Sequence, residues 1–222
     1  MSKGSAFGDI ATTCPISDEE LMEAFIKGSE EAFDRLVARY GAKITNFIHR
    51  QVSDFATAEE LAQDTFLAVY RKKHTYNAEY TFSAWFYKIA INFCRMHFRR
   101  RKRAPTIVSM EESREGGRTS LEGALADEGE GPLEALRRKE AEEKLREAIS
   151  ELPRKQRVVF TLSFYDGMTY EGIGELLACS PGTVASRKHT AVRRLASKLR
   201  RLGPGSLASG GPGEKVADWT SC

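Results

Sequence analysis

The sequence lacks paired cysteines. Its four, Cys14, Cys94, Cys179 and Cys222, are scattered without a Cys-x-x-Cys spacing, which argues against both a zinc ribbon and a disulfide framework. Cys94 and His97 stand one helical turn apart, but a pair without further ligands is more often plain packing, so no metal or cofactor is expected. No apolar run approaches the ~20 residues that a membrane helix needs, and the N-terminus has no apolar signal core. A cytoplasmic location is therefore expected. A large excess of one charge is missing as well: 34 Lys and Arg stand against 31 Asp and Glu, for a net charge of +3. The chain as a whole is not a polycation.

The charge is, however, unevenly placed. Arg95, Arg99, Arg100, Arg101, Lys102 and Arg103 have no acid among them, and neither do Arg187, Lys188, Arg193, Arg194, Lys198, Arg200 and Arg201. Between these runs, residues 111–134 hold eight acids against Arg114 and Arg118, a net of −6. Two basic patches separated by an acidic stretch suggest two contacts with a polyanion. Solvated helix faces give the same pattern.

Strand-like alternation is absent, and glycine and proline gather outside the periodic segments, so the chain reads as all-α. Ser17 and Glu20 form a capping box that opens a short helix. A second helix runs from about Ser29 to Val52, with Phe33, Leu36, Val37, Tyr40, Ile44, Phe47 and Ile48 on one face. Thr57 and Glu60 read as another capping box, opening a helix to about Lys72. Residues 73–81 read as a loop, and a long helix then carries Phe82, Trp85, Phe86, Ile89, Ala90 and Phe93 into the first basic run. These elements make one helical domain over 17–103. Residues 104–135 read as a flexible acidic linker and 136–202 as a second helical domain with Leu145, Ile149, Leu152, Val158, Val159, Leu162 and Phe164 as apolar positions. The Gly/Pro/Ser-rich tail 203–222 is expected to be disordered.

Within the second domain, a helix from Thr169 to about Ala178 and another from Ser180 to about Leu202 flank a tight break, as in a helix-turn-helix. Ser180 as N-cap followed by Pro181 is a strong start signal. Val184, Ala191, Leu195 and Leu199 then face the core. Ala185, Ser186, His189 and Thr190 point outward towards base edges, flanked by Arg187, Lys188, Arg193 and Arg194 for phosphates.

These residues resemble a known family. Leu152-Pro153-x-x-x-Arg157-x-Val159-Phe160, Gly167-Met168-Thr169-Tyr170-Glu171 and Gly182-Thr183-Val184-Ala185-Ser186-Arg187 are similar to region 4 of bacterial extracytoplasmic-function sigma factors. Ala32-Phe33-Asp34-x-Leu36, Ala58-Glu59-Glu60-Leu61-Ala62-Gln63-Asp64-Thr65-Phe66 and Phe82-x-x-Trp85-Phe86-x-x-Ile89-Ala90-x-Asn92 resemble region 2. The resemblance implies a protein that binds core RNA polymerase and promoter DNA and is commonly held inactive by a membrane-bound anti-sigma factor. Glu60, Gln63 and Asp64, at i, i+3 and i+4 on one face, would dock on the polymerase. Tyr76, Asn77 and Tyr80 would capture a flipped base of the minus-ten element, where aromatics stack and an amide reads an edge. Lys88, Asn92, Arg95 and Arg99 form one stripe suited to a DNA backbone. Ala185, Ser186, Arg187, Lys188, His189, Thr190 and Arg193 would meet the minus-thirty-five element. No catalytic residue is implied.

The chain also departs from the family. Met96 stands where Asp is usual, Lys188 where an apolar residue is expected, and Thr190 where Arg is common. Gly172 and Gly174 replace better helix formers, at about 1 kcal/mol each. The promoter sequence is therefore not carried over. Two other readings fit parts of the sequence: a stand-alone helix-turn-helix regulator of double-stranded operators, and an interaction module or metal sensor using Cys94, His97 and Cys222.

Overall fold

Side-chain caps set where this chain enters helix. The computed structural model describes residues 16–103 and 131–201, which form eight α-helices and one 3-10 turn, with no strand among the described residues. The Ser17 hydroxyl accepts from the Glu20 N–H while the Glu20 carboxylate accepts from the Ser17 N–H, a complete capping box that opens α1 (Asp18–Ile26). Ser29 caps α2 (Glu30–Val52). Asp54 caps α3 (Phe55–Lys72), its carboxylate accepting from the Thr57 N–H at 2.8 Å. The box expected at Thr57 and Glu60 does not form: α3 begins earlier, because an acceptor three residues upstream already holds the Thr57 N–H. A 3-10 turn at Lys73–Thr75 precedes α4 (Phe82–Arg103).

In the second half, α5 (Pro132–Ser150) starts within the stretch expected to be linker, with Gly131 at its N-cap and Pro132 at its first position, where proline's missing N–H costs nothing. Residues 104–130 and the tail lie outside the described residues. Then come α6 (Arg154–Phe164), α7 (Tyr170–Leu177) and α8 (Pro181–Arg201). Gly167, at φ +64°, makes the turn after α6, and Thr169 caps α7. The Ser180 hydroxyl accepts from the Thr183 N–H, as expected of an N-cap.

Helices α1 to α4 close around Phe25, Phe47, Phe82 and Phe86, all fully buried. A chain of ring contacts joins them, Phe25 to Phe33 at 4.7 Å, Phe33 to Phe66 at 6.4 Å and Phe66 to Phe86 at 5.1 Å. A smaller cluster of Ala148, Ile149, Leu152, Phe160, Ala191 and Leu195 joins α5, α6 and α8. The larger core does not stop at α4. It continues through Val159, Leu162, Ile173, Leu176 and Val184, so the second half packs directly on the first. A second apolar stripe on α4, Tyr87, Ile91 and Cys94, is buried in this shared core, while the expected core residues Trp85 and Ile89 are only half-buried. Of the apolar positions noted on α6, Phe164 is 46% exposed, whereas Phe160 is buried.

The Arg157 guanidinium is buried where helix ends converge. It donates to the Gln51 carbonyl at 2.6 Å, to the Leu152 carbonyl at 3.1 Å and to the Ser150 carbonyl. One side chain thus satisfies unpaired carbonyls at the ends of both α2 and α5. Burial, with Arg154 adding a smaller like-charge effect, pulls its pKa down from the usual guanidinium value.

The glycines of α7 are not equivalent. A Cβ on Gly174 would sit 2.7 Å from the Cys179 carbonyl oxygen, whereas one on Gly172 would find its nearest neighbour, the Thr169 hydroxyl, at 3.4 Å. Gly174 therefore lets the turn fold back onto α7, where the Cys179 N–H donates to the Gly174 carbonyl at 2.9 Å. Gly174→Ala is expected to destabilise the chain by about 1–3 kcal/mol through overpacking. Gly172→Ala is expected to stabilise it by about 0.5–1 kcal/mol. Urea unfolding followed by helicity checks both, and equal signs would contradict this packing.

Candidate nucleic-acid interface

Helical spacing places the cations of α4. Lys88, Asn92, Arg95 and Arg99 follow one another at four, three and four residues and are all exposed. The Arg95 guanidinium donates to the Asn92 amide oxygen at 3.4 Å. Arg100, Arg101, Lys102 and Arg103 extend the charge through the last turn, where cations also complement the helix dipole. Met96, exposed at 45%, lies at the border of this stripe and adds no charge.

The loop before α4 is partly closed. Tyr76 packs edge-on against Trp85 at 5.4 Å, and its hydroxyl donates to the Tyr80 carbonyl at 2.9 Å. Burial, helped by the charges of Glu19, Glu23 and Asp18, raises the pKa of its phenol. The Asn77 amide is engaged on both sides by Glu79: its nitrogen donates to the carboxylate at 2.8 Å, and its oxygen accepts from the Glu79 N–H at 3.0 Å. Tyr80, by contrast, is 52% exposed. Of the three residues singled out in this loop, Tyr80 presents its ring to solvent, Tyr76 is held in the aromatic cluster, and Asn77 is exposed but occupied.

On α3, Glu60 and Gln63 are exposed and Asp64 is half-buried, so the three share a face as their spacing requires. That face continues into Leu67, 51% exposed, and Tyr70, 45% exposed. Neither was expected from the sequence, although they stand four and seven residues after Gln63. Two large exposed apolar groups beside an acid and an amide suit a protein partner better than DNA.

On α8, Val184, Ala191 and Leu195 are buried and Leu199 packs beside them. Ser186, His189, Arg193 and Arg194 are exposed, and Ala185 and Thr190 are half-buried. Arg187 is held back towards the turn, its guanidinium 3.5 Å from the Cys179 sulfur. The Lys188 ammonium lies 5.1 Å from the centre of the Tyr170 ring, so a cation at this position is accommodated by the face of an aromatic on α7. The first exposed pair therefore faces outward at the start of the helix and the free arginines follow two turns on, an arrangement that suits base edges and phosphates respectively.

Among the described residues no third His, Cys, Asp or Glu lies near enough to Cys94 and His97 to complete a metal site. Burial pushes the Cys94 thiol up to about 12. The His97 ring packs edge-on against Phe98 at 5.5 Å. Cys222 lies outside the described residues.

Known proteins share this arrangement. Residues 36–104 match Sigma-70 region 2, and residues 142–195 match Sigma-70, region 4. The chain is 34% identical over 189 residues to the RNA polymerase sigma-H factor of Pseudomonas aeruginosa, covering 83% of this chain and 95% of that protein. It is 29% identical over 191 residues to the ECF RNA polymerase sigma-E factor of Salmonella typhimurium, covering 84% and 96%. Its fold is similar to that of the sigma factor RpoE, solved in complex with the anti-sigma factor NepR from Bartonella quintana, with a TM-score of 0.56 and 23% identity over 76% of this chain and 96% of that one. With both regions matched in order and the relatives covered almost end to end, the chain belongs to the extracytoplasmic-function (ECF) family of RNA polymerase sigma factors.

Proposed function

We propose that α3 docks this sigma factor on core RNA polymerase, that α4 and the loop before it hold melted minus-ten DNA, and that α8 reads the minus-thirty-five element. One observation carries the reading. An exposed acid–amide–apolar face, an exposed cation stripe and a helix-turn-helix occur together, each on a different helix and each left uncovered. A stand-alone operator-binding protein gives the α3 face and the aromatic loop no purpose. On this reading residues 17–103 and 136–202 are the two working domains, although α5 begins slightly earlier than the second of these. The protein acts in the cytoplasm and is not itself an enzyme: it directs the polymerase's chemistry. By likeness to relatives held by anti-sigma factors, a regulator of that class, anchored at a membrane, is its inhibitor. Run-off transcription with core polymerase on genomic fragments, with and without this protein, tests the whole scheme, and no protein-dependent transcript would overturn it.

Three finer outcomes follow. Gln63→Ala combined with Asp64→Ala is expected to weaken core polymerase binding at least about tenfold with helicity unchanged, since neither residue is in the core; a fluorescence titration measures this. Asn77→Ala and Tyr80→Ala are expected to leave closed-complex formation nearly normal and to reduce permanganate-reactive thymines. Tyr76→Ala does the same but also loosens the loop, because its ring packs on Trp85.

For α8, base contacts discriminate by about 1–3 kcal/mol each, while phosphate contacts act alike on all sequences. His189→Ala is expected to narrow the difference between cognate and mutated minus-thirty-five sites. Arg193→Ala is expected to weaken both equally and to flatten the salt dependence. Binding of the two DNAs by holoenzyme across a salt series separates these effects.

A further inference from the structure

The loop before α4 is fastened at both ends to α1, a helix that the proposed function does not use. At the start of the loop, the Lys73 ammonium donates to the Phe25 carbonyl at 3.0 Å and sits 4.4 Å from the centre of the Phe25 ring. At its end, the N–H of Phe82, the first residue of α4, donates to Glu19 Oε1 at 2.9 Å. Lys73 and Glu19 are both half-buried.

Both tethers answer a local shortage. The first N–H groups of a helix have no partner within it. In α4 the Thr81 hydroxyl accepts from the Ala84 N–H at 3.3 Å. That leaves the N–H of Phe82, whose side chain is fully buried, to Glu19. Helix α4 has no acid in its first turn, and α1 has no cation in its last. Glu19 supplies the one and Lys73 the other, each at the helix end where the dipole favours its sign. Helix α1 is itself held by α2: Asp18 accepts from the Arg39 guanidinium and the Tyr40 hydroxyl, and Arg39 also donates to the Ile16 carbonyl at 3.0 Å.

The consequence is geometric. The nine residue steps from Lys73 to Phe82 extend to at most about 30 Å. Their attachments on α1, Phe25 and Glu19, are six residues apart, or about 9 Å along its axis. The intervening chain must therefore fold back on itself. The Tyr76 hydroxyl, donating to the Tyr80 carbonyl at 2.9 Å, and the Tyr80 N–H, donating to the Asn77 carbonyl at 3.1 Å, close that fold.

We propose that Glu19 and Lys73 are positioning residues for promoter opening: by fixing both stems of the loop on α1, they preset Tyr76, Asn77 and Tyr80 to receive an unpaired base. Their role in opening rests on the minus-ten function proposed above; the tethers themselves do not. A binding group selects its ligand only when its supports hold it to within about 0.5 Å. Loosening either stem therefore lowers selectivity for the base as well as affinity.

The test has two arms. The first is amide hydrogen exchange of the full chain without polymerase or DNA. Glu19→Ala is expected to speed exchange at the Phe82 N–H by about fivefold, the size of a lost helix cap. Glu19→Gln, whose amide oxygen still accepts, is expected to keep it slow. Equal exchange in both variants and the wild type would overturn the tether. The second arm uses holoenzyme and a fork-junction DNA with a single-stranded minus-ten strand, taken from a promoter found by run-off transcription. Its readout is the ratio of affinities for the cognate strand and for strands with one base replaced. A partly unfolded sample binds both strands less and leaves this ratio unmoved. Glu19→Ala and Lys73→Met are each expected to narrow the ratio at least about threefold, at the same base where Asn77→Ala narrows it. Glu19→Gln and Lys73→Arg are expected to preserve it, and Glu19→Ala is expected to add nothing once Asn77 is Ala. A ratio unchanged in Glu19→Ala and Lys73→Met but narrowed in Asn77→Ala would overturn the positioning role and leave the minus-ten function standing. A ratio unchanged in Asn77→Ala and Tyr80→Ala as well would overturn both.

Discussion

Everything in this structure depends on how one helix divides its circumference. At about 100° per residue, α4 presents three sectors. Phe82, Phe86 and Ala90 face the core formed with α2 and α3. Tyr87, Ile91 and Cys94 recur at three and four residues on another side and join the core shared with the second half. Lys88, Asn92, Arg95 and Arg99 occupy what is left. A cationic stripe on a solvated helix is free to rock and fray. Here the helix is packed on both flanks, so its charges sit at set positions along a rigid rod.

The same division explains which features were legible in the sequence. Caps were legible where one acceptor dominated, as at Ser17 and Ser180. At α3 two candidate starts competed, and the one whose carboxylate accepts the Thr57 N–H won; the Ser/Thr-x-x-Glu pattern alone does not show that Asp54 lies three residues upstream. The first apolar face of α4 was legible because its partners α2 and α3 are near in sequence and carry matching stripes. Its second face was not, because Tyr87 and Cys94 are ambiguous residues until a distant partner covers them. Gly174 was misread for a related reason. Propensity counts only what glycine costs a helix, whereas the close approach of Cys179 is a tertiary fact. Of the candidate site, the α4 stripe and the α8 face were legible from spacing and charge alone. The engagement of Tyr76 and Asn77, and the apolar extension at Leu67 and Tyr70, depended on what packs nearby.

The contact between the halves is polar as well as apolar, and this bears on what separating them would cost. An interface sealed by apolar groups alone resists opening in proportion to the surface it would expose to water. Here several of the groups exposed on separation are polar and recover hydration: the Tyr87 hydroxyl, the Asp166 carboxylate to which it donates, and the Gln51 amide, which donates to the Thr161 hydroxyl. Arg157 loses only its bond to Gln51 on opening and keeps the Ser150 and Leu152 carbonyls within its own half, so no buried charge is stranded, the circumstance that makes broken ion networks so costly. The second half also keeps the small core of α5, α6 and α8. Separation would nevertheless expose Val159, Leu162, Ile173, Leu176 and Val184, which belong to the larger core, so apolar burial holds the halves together alongside the polar pairs.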